Sequence, residues 1–295
     1  MKNTALFALA LLASAVAAAA AQTALRVSPE WLAQHQADPG MVLLHVGSEA
    51  EYRAGHLPGA RFVSLDDIGV DRGELTLELP DAAALQRRLG MLGIDQRSKV
   101  VVYYGKDQVS PATRVVFTLY AAGLGERVSL LDGGMAAWRR RGLPISAQVP
   151  PAASGAGPQV RYLPVVVDTA FVQSHLHAPG YAVIDARAPV YYDGVQVSGD
   201  MRKLRKGHIP GALNIPYTSI VNGDMTLKTP SELAALFRSS GVAPGSKVIV
   251  YCHIGQQATA ILFAAREAGI DAVLYDGSFE DWTWKDGAVE ASRGL

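Results

Sequence analysis

Cysteine is almost missing from this chain: its 295 residues contain one, Cys252. A lone cysteine cannot close an internal disulfide, so it is either a small buried apolar group or a reactive thiol. An excess of charge is missing too, since 27 Lys plus Arg balance 27 Asp plus Glu. Without a global basic field, nucleic acid is not an expected partner. The seven histidines are scattered, with no HExxH motif and no Cys/His cluster at zinc spacing, so no metal site is expected. Beyond the N-terminus no stretch is long and apolar enough to cross a bilayer. Hydrophobic residues at 49% and charged residues at 18% exclude a disordered chain. At roughly 100–200 residues per domain, the length suggests two domains.

What is present begins with Lys2, an apolar stretch from Ala5 to Val16 and a run of alanines from Ala17 to Ala21. This reads as a secretory signal peptide over residues 1–21, with small residues where a peptidase cuts. The expected mature protein is soluble, free of the membrane and periplasmic.

The remainder contains one unit twice. His56-Leu57-Pro58-Gly59-Ala60 recurs as His208-Ile209-Pro210-Gly211-Ala212, and Lys99–Tyr104 recurs as Lys247–Cys252. Leu131-Asp132-Gly133 with Trp138 recurs as Tyr275-Asp276-Gly277 with Trp282. The spacing between matched positions drifts from 152 to 148 to 144 residues, in one order along the chain. The expected layout is a first domain over residues 23–147, a linker over 148–162 and a second domain over 163–295. The linker, rich in proline, glycine and small residues from Val149 to Pro158, reads as exposed.

Within the second copy, Ala182–Asp185, Lys247–Tyr251 and Ala272–Tyr275 read as short strands, and Ala258–Ala268 as a helix ending before Gly269. Strands alternating with helices predict a largely parallel sheet covered on both faces. Ligands of such sheets sit beyond the carboxyl ends of the strands. Cys252 occupies that position, on the loop Cys252-His253-Ile254-Gly255-Gln256-Gln257 leading into a helix. Unpaired N–H groups and the helix dipole there favour a thiolate, so its pKa is expected below about 8.5. Gly255 permits the tight turn that brings those donors to the sulfur. The first copy has Tyr104 at the matching place, so the fold itself does not require cysteine.

These motifs together resemble the rhodanese domain, and the chain from about Val27 to about Val289 resembles the tandem thiosulfate and 3-mercaptopyruvate sulfurtransferases. Cys252 with Gly255 resembles the family's Cys-x-x-Gly-x-x active loop, and Gly207–Ala212 its GHIPGA motif. Asp185-Ala186-Arg187 resembles its D-x-R motif, and Asp276-Gly277 with Trp282 its C-terminal signature. The resemblance implies an α/β fold of two tandem domains, each a mainly parallel five-stranded sheet flanked by helices. It implies an inactive first domain that walls the cleft and a catalytic second one. His45-Val46-Gly47 stands in the first copy where the second has Asp185-Ala186-Arg187.

The resemblance further implies that Cys252 takes a sulfur from a small anionic donor as a persulfide and passes it to a thiophilic acceptor such as cyanide, a small thiol or a protein thiol. No metal or organic cofactor is implied. Substrate contacts fall to Arg187, the loop residues His253, Ile254, Gly255, Gln256 and Gln257, and Arg202 and Arg205. Asp185 and His208 take supporting roles. Thiosulfate is the first donor expected; 3-mercaptopyruvate stays open as the alternative, because the loop carries neither the permanent charge of the thiosulfate type nor the small residues of the other. A phosphatase of related fold needs an arginine at the sixth position after the cysteine, where this chain has Ala258. A persulfide carrier without turnover, or a structural repeat with an inert thiol, are the non-enzymatic readings.

Overall fold

The structure is a computed structural model, and it describes residues 24–106, 108–197 and 205–292. The expected signal segment and Arg202 therefore lie outside the described residues.

The first domain runs β1 (Arg26–Val27), α1 (Pro29–His35), β2 (Met41–Val46), α2 (Glu49–Ala54), β3 (Arg61–Val63), β4 (Val70–Arg72), β5 (Leu75–Glu78), α3 (Ala82–Met91), β6 (Lys99–Tyr104), α4 (Ser110–Leu119), β7 (Val128–Leu131) and α5 (Gly134–Arg140). The second runs β8 (Val166–Val167), α6 (Thr169–His175), β9 (Tyr181–Asp185), α7 (Pro189–Tyr192), β10 (Leu213–Asn214), α8 (Pro230–Ser239), β11 (Lys247–Tyr251), α9 (Ala258–Glu267), β12 (Ala272–Tyr275) and α10 (Ser278–Trp284). Each domain has a five-stranded parallel sheet, ordered β1-β7-β6-β2-β3 in the first and β8-β12-β11-β9-β10 in the second. The predicted strands and helix of the second copy fall within one residue of the observed ones.

Burial on both sheet faces explains the unbroken apolar strands. Val248, Ile249, Val250 and Tyr251 of β11 are all fully buried. The outer face of each sheet has its own small core, around Trp138 in the first domain and Trp282 in the second. The inner faces share one continuous core. Its centre is the pair α4 and α9, the same element from the two copies, packed face to face and joined by Thr113 Oγ1 and Thr259 Oγ1 at 3.0 Å.

The contact is reciprocal beyond the helices. Asp132 accepts from Leu227 N at 2.7 Å, and its counterpart Asp276 accepts from Leu79 N at 3.2 Å. Leu79 follows β5, which with β4 forms an antiparallel hairpin reaching from the first domain to the second.

The linker departs from the sequence expectation of a merely exposed tether. Most of its residues are exposed, yet its backbone is pinned against α3. Gly157 has φ +74°, and a Cβ there would stand 1.9 Å from Gln86 O. Gln86 Nε2 donates to Ala156 O at 3.2 Å and Arg61 to Pro151 O at 2.8 Å. Glycine and small residues here serve close backbone approach as well as freedom.

Candidate active site

Strand β11 ends at Tyr251, and the chain turns through 252–257 into α9. The N–H groups of Ala258, Ile254 and Gln257 converge on the sulfur of Cys252. Gly255 has φ +79°, and a Cβ there would lie 2.6 Å from Asp276 Oδ1 and 2.8 Å from Asp276 O, so only glycine closes this loop. Geometry therefore supplies the cradle that the sequence predicted.

The electrostatics differ from the expectation. Cys252 is completely buried, and burial pushes its thiol above the ordinary value. The three N–H groups pull in the other direction, and the Asp185 carboxylate adds to the rise. Desolvation of a thiolate outweighs the donors while the site is closed. Placement of the cysteine was legible in sequence; the seal over it was not.

Arg187 is 2% exposed and bound to a fully buried Asp185. Its Nε donates to both carboxylate oxygens at 3.0 Å, and its Nη2 to Asp185 Oδ2 at 2.6 Å and Gly207 O at 2.7 Å. The guanidinium lies 4.0 Å from the centre of the Phe279 ring. Its charge is felt at both Cys252 and His253. The D-x-R pair thus forms a desolvated ion pair beside the thiol.

His253 is pushed down to about 4, first by burial and then by Arg187. A neutral imidazole follows, so His253 supplies no positive charge to the sulfur near neutral pH. Its Nδ1 is buried without a hydrogen-bond partner, and its ring meets Tyr191 edge-on at 4.8 Å. Ile254 is half-buried. The Oε1 of Gln257 is buried and unpartnered, whereas Gln256 Nε2 donates to Ser110 Oγ of the first domain at 3.2 Å. Arg205 is exposed and donates to the Gly287 carbonyl, not to the loop.

His208 is built into the fold. It stacks on Tyr192 at 3.7 Å, its Nδ1 pairs with Tyr192 O at 2.7 Å, and its Nε2 lies 3.3 Å from Glu290. His56 repeats the arrangement with Tyr52 O at 2.7 Å. Among the described residues, no group of three or more His, Cys, Asp and Glu side chains is placed to hold a metal ion.

Sequence reasoning missed the segment that backs the loop. Ser278, fully buried with φ 55°, accepts from Cys252 N at 3.2 Å and donates to Tyr275 O at 2.9 Å. Phe279 N donates to Cys252 O and Glu280 N to His253 O, both at 3.0 Å. A serine held in the left-handed region is strained, and such strain persists only where surroundings enforce it. Ser278 follows the Asp276-Gly277 signature directly, which was the available signal.

Comparison with known proteins follows the same lines. The rhodanese-like domain model matches residues 28–141 and again 168–285. The chain is 32% identical over 267 residues to the 3-mercaptopyruvate sulfurtransferase of Escherichia coli (strain K12), covering 87% of this chain and 94% of that one. It is 36% identical over 247 residues to the putative thiosulfate sulfurtransferase SseB of Mycobacterium tuberculosis, covering 79% and 82%. The crystal structure of SseA from Escherichia coli, a 3-mercaptopyruvate sulfotransferase with a rhodanese fold, superposes with a TM-score of 0.76 at 30% identity, covering 87% of this chain and 99% of that one. Sulfur transfer in general is what the named relatives support, and the chain belongs to the rhodanese family as a tandem-domain member.

Proposed function

We propose that this chain moves a sulfane sulfur from thiosulfate to a thiophilic acceptor such as cyanide or a thiol, by way of a persulfide on Cys252. One observation carries the reading: the only cysteine of the chain sits at the carboxyl end of β11 with three N–H groups turned onto its sulfur. The thiolate attacks the outer sulfur of the donor. The donor's S–S bond breaks, and sulfite departs with the electron pair. The acceptor then attacks the outer persulfide sulfur and returns the thiolate, which is covalent nucleophilic catalysis. Loop N–H groups stabilise the sulfur anion in both halves, and the nearby charge of Arg187 draws in the anionic donor. Because the resting site is sealed, donor entry has to displace the half-buried side chains of the loop.

3-Mercaptopyruvate is the second reading. It is favoured by a loop with no permanent charge and by relatives bearing that substrate's name. Pyruvate is then the leaving group. Export to the periplasm belongs to the same proposal and rests on residues 1–21 alone.

One experiment addresses these points. The full chain is expressed in a bacterium, recovered by compartment and weighed intact. It is then assayed with thiosulfate and 3-mercaptopyruvate, cyanide as acceptor, beside Cys252→Ser. The expected result is a periplasmic chain cut after Ala21 that gains about 32 daltons, one sulfur, on donor treatment, turns over thiosulfate and loses all turnover in the variant. Preference for 3-mercaptopyruvate selects the second reading. A stable added sulfur without turnover makes the protein a carrier. Turnover surviving in the variant overturns the mechanism, and an uncut cytoplasmic chain overturns export.

A further inference from the structure

Among the described residues, the most buried cation that the chemistry above leaves unused belongs to the first domain. Arg114 lies on α4, is 0% exposed, and sends its guanidinium across the interface. Its Nη1 donates to Asp276 Oδ1 at 2.5 Å and to Gly255 O, in the catalytic loop, at 3.4 Å. Its Nη2 donates to Leu77 O at 2.5 Å and Asp276 Oδ2 at 3.3 Å. Asp276 also accepts from Leu79 N, and Glu280 accepts from Thr76 N at 2.7 Å and Thr76 Oγ1 at 3.1 Å.

These contacts converge. Asp276 presses on Gly255, the loop position where a Cβ would meet both its carboxylate and its carbonyl. Ser278 to Glu280 hold the backbone of Cys252 and His253. Two further residues of the same first-domain helix meet the loop and the helix it leads into: Ser110 receives Gln256 of the loop, and Thr113 meets Thr259 in the first turn of α9. The loop that shapes the cradle is therefore gripped from behind by a domain that has no cysteine of its own.

We propose that Arg114 is a positioning residue of the catalytic loop, acting through Asp276 and Gly255, so that the geometry around Cys252 is completed by the first domain. Its role is not to touch substrate. It fixes the carbonyl of Gly255 and the carboxylate of Asp276, and so the direction of the N–H groups that follow. A misplacement of about 1 Å in such a site is worth as much as 100-fold in rate. The arginine is suited to the task because its planar fork serves a carboxylate and two carbonyls at once, which a lysine's point charge does only in part.

This inference rests on the proposed chemistry for its rate effect, but its structural core is separable. The test compares the full chain with Arg114→Met, Arg114→Lys and Asp276→Asn. Turnover is measured together with the carbon-13 resonance of Cβ-labelled cysteine, a single peak because the chain has one cysteine. Arg114→Met is expected to lower kcat about 10- to 100-fold with KM within about threefold, and to displace or broaden the Cys252 resonance. Arg114→Lys is expected to recover part of both. A folded Arg114→Met chain with parental kcat and an unmoved resonance, even with a lower melting temperature, overturns the proposal and leaves Arg114 as interface cement. If Arg114→Met does not fold, Arg114→Lys and Asp276→Asn are judged by the same two readouts. A parent that turns over no donor, with the resonance still displaced in Arg114→Met, overturns the proposed function and supports the hold of Arg114 on the loop.

Discussion

The two domains share a scaffold and differ at three positions around the matched loops. Tyr103 and Tyr251 each accept, through the phenol oxygen, from the N–H of Leu57 and Ile209 at 3.0 Å. Trp138 and Trp282 each donate to a carbonyl six residues on, at 2.8 and 2.7 Å. Against that constancy, Cys252 is matched by Tyr104, Asp185 by His45 and Arg187 by Gly47. Tyr104 points its hydroxyl to Met225 O of the other domain at 2.7 Å. His45 is pushed down to about 4 by burial and leaves Nε2 without a partner. Beside Gly47 the first domain has a cavity of about 530 Å³, lined also by Glu51, Tyr104 and Lys106. The first domain folds without this ion pair, so the fold does not require it, and the proposed chemistry is the role left for it.

The largest expected effect comes from trying to move the nucleophile. In a Cys252→Ser, Tyr104→Cys double variant the first domain regains a thiol on its own loop. Turnover is expected to stay at background, because His45 and Gly47 supply neither the ion pair nor its charge. Measurable turnover there would show that the cysteine alone separates the domains. Next comes Arg187→Met, which leaves Asp185 buried and unpaired. A loss of about 3–5 kcal/mol in denaturant unfolding is expected, with Gly47→Ala in the first domain costing clearly less. Equal costs would erase the distinction.

The smallest effect concerns Glu78, at the end of β5 against the interface. Burial, followed by the Asp276 charge, pushes its carboxyl up to about 7, opposed by Arg114. The unfolded chain releases that proton near pH 4.3, so the folded state holds it longer, and stability falls as pH rises from there to about 7. After discounting for partial exposure, Glu78→Gln should recover roughly 1–2 kcal/mol above pH 7 and nothing below pH 4. A pH-independent gain would assign the effect to packing instead.

Much of this contrast was readable before any coordinates. The repeated motifs gave the domains, β-branched runs gave the strands, and the break after Tyr251 put Cys252 just beyond the carboxyl end of a strand. Arg114 escaped because its partners lie 37 and 162 residues away in the chain and its counterpart in the second copy is Leu262. The one clue was a single charge in the otherwise uncharged stretch 110–124. The burial of Cys252 escaped for a different reason. The turn at Gly255 follows from local sequence, whereas burial of the sulfur depends on segments distant in the chain that only tertiary structure packs against the loop.

Facing copies of one helix, with each aspartate reaching the other's loop, have the arrangement of a twofold homodimer. Here a single chain spans it. An association that would otherwise weaken on dilution becomes intramolecular, at an effective concentration set by the tether. Symmetry is then no longer enforced, since each half is encoded separately. One half can do without a cysteine and carry a cation such as Arg114, which reaches across to Asp276 and Gly255 of its neighbour.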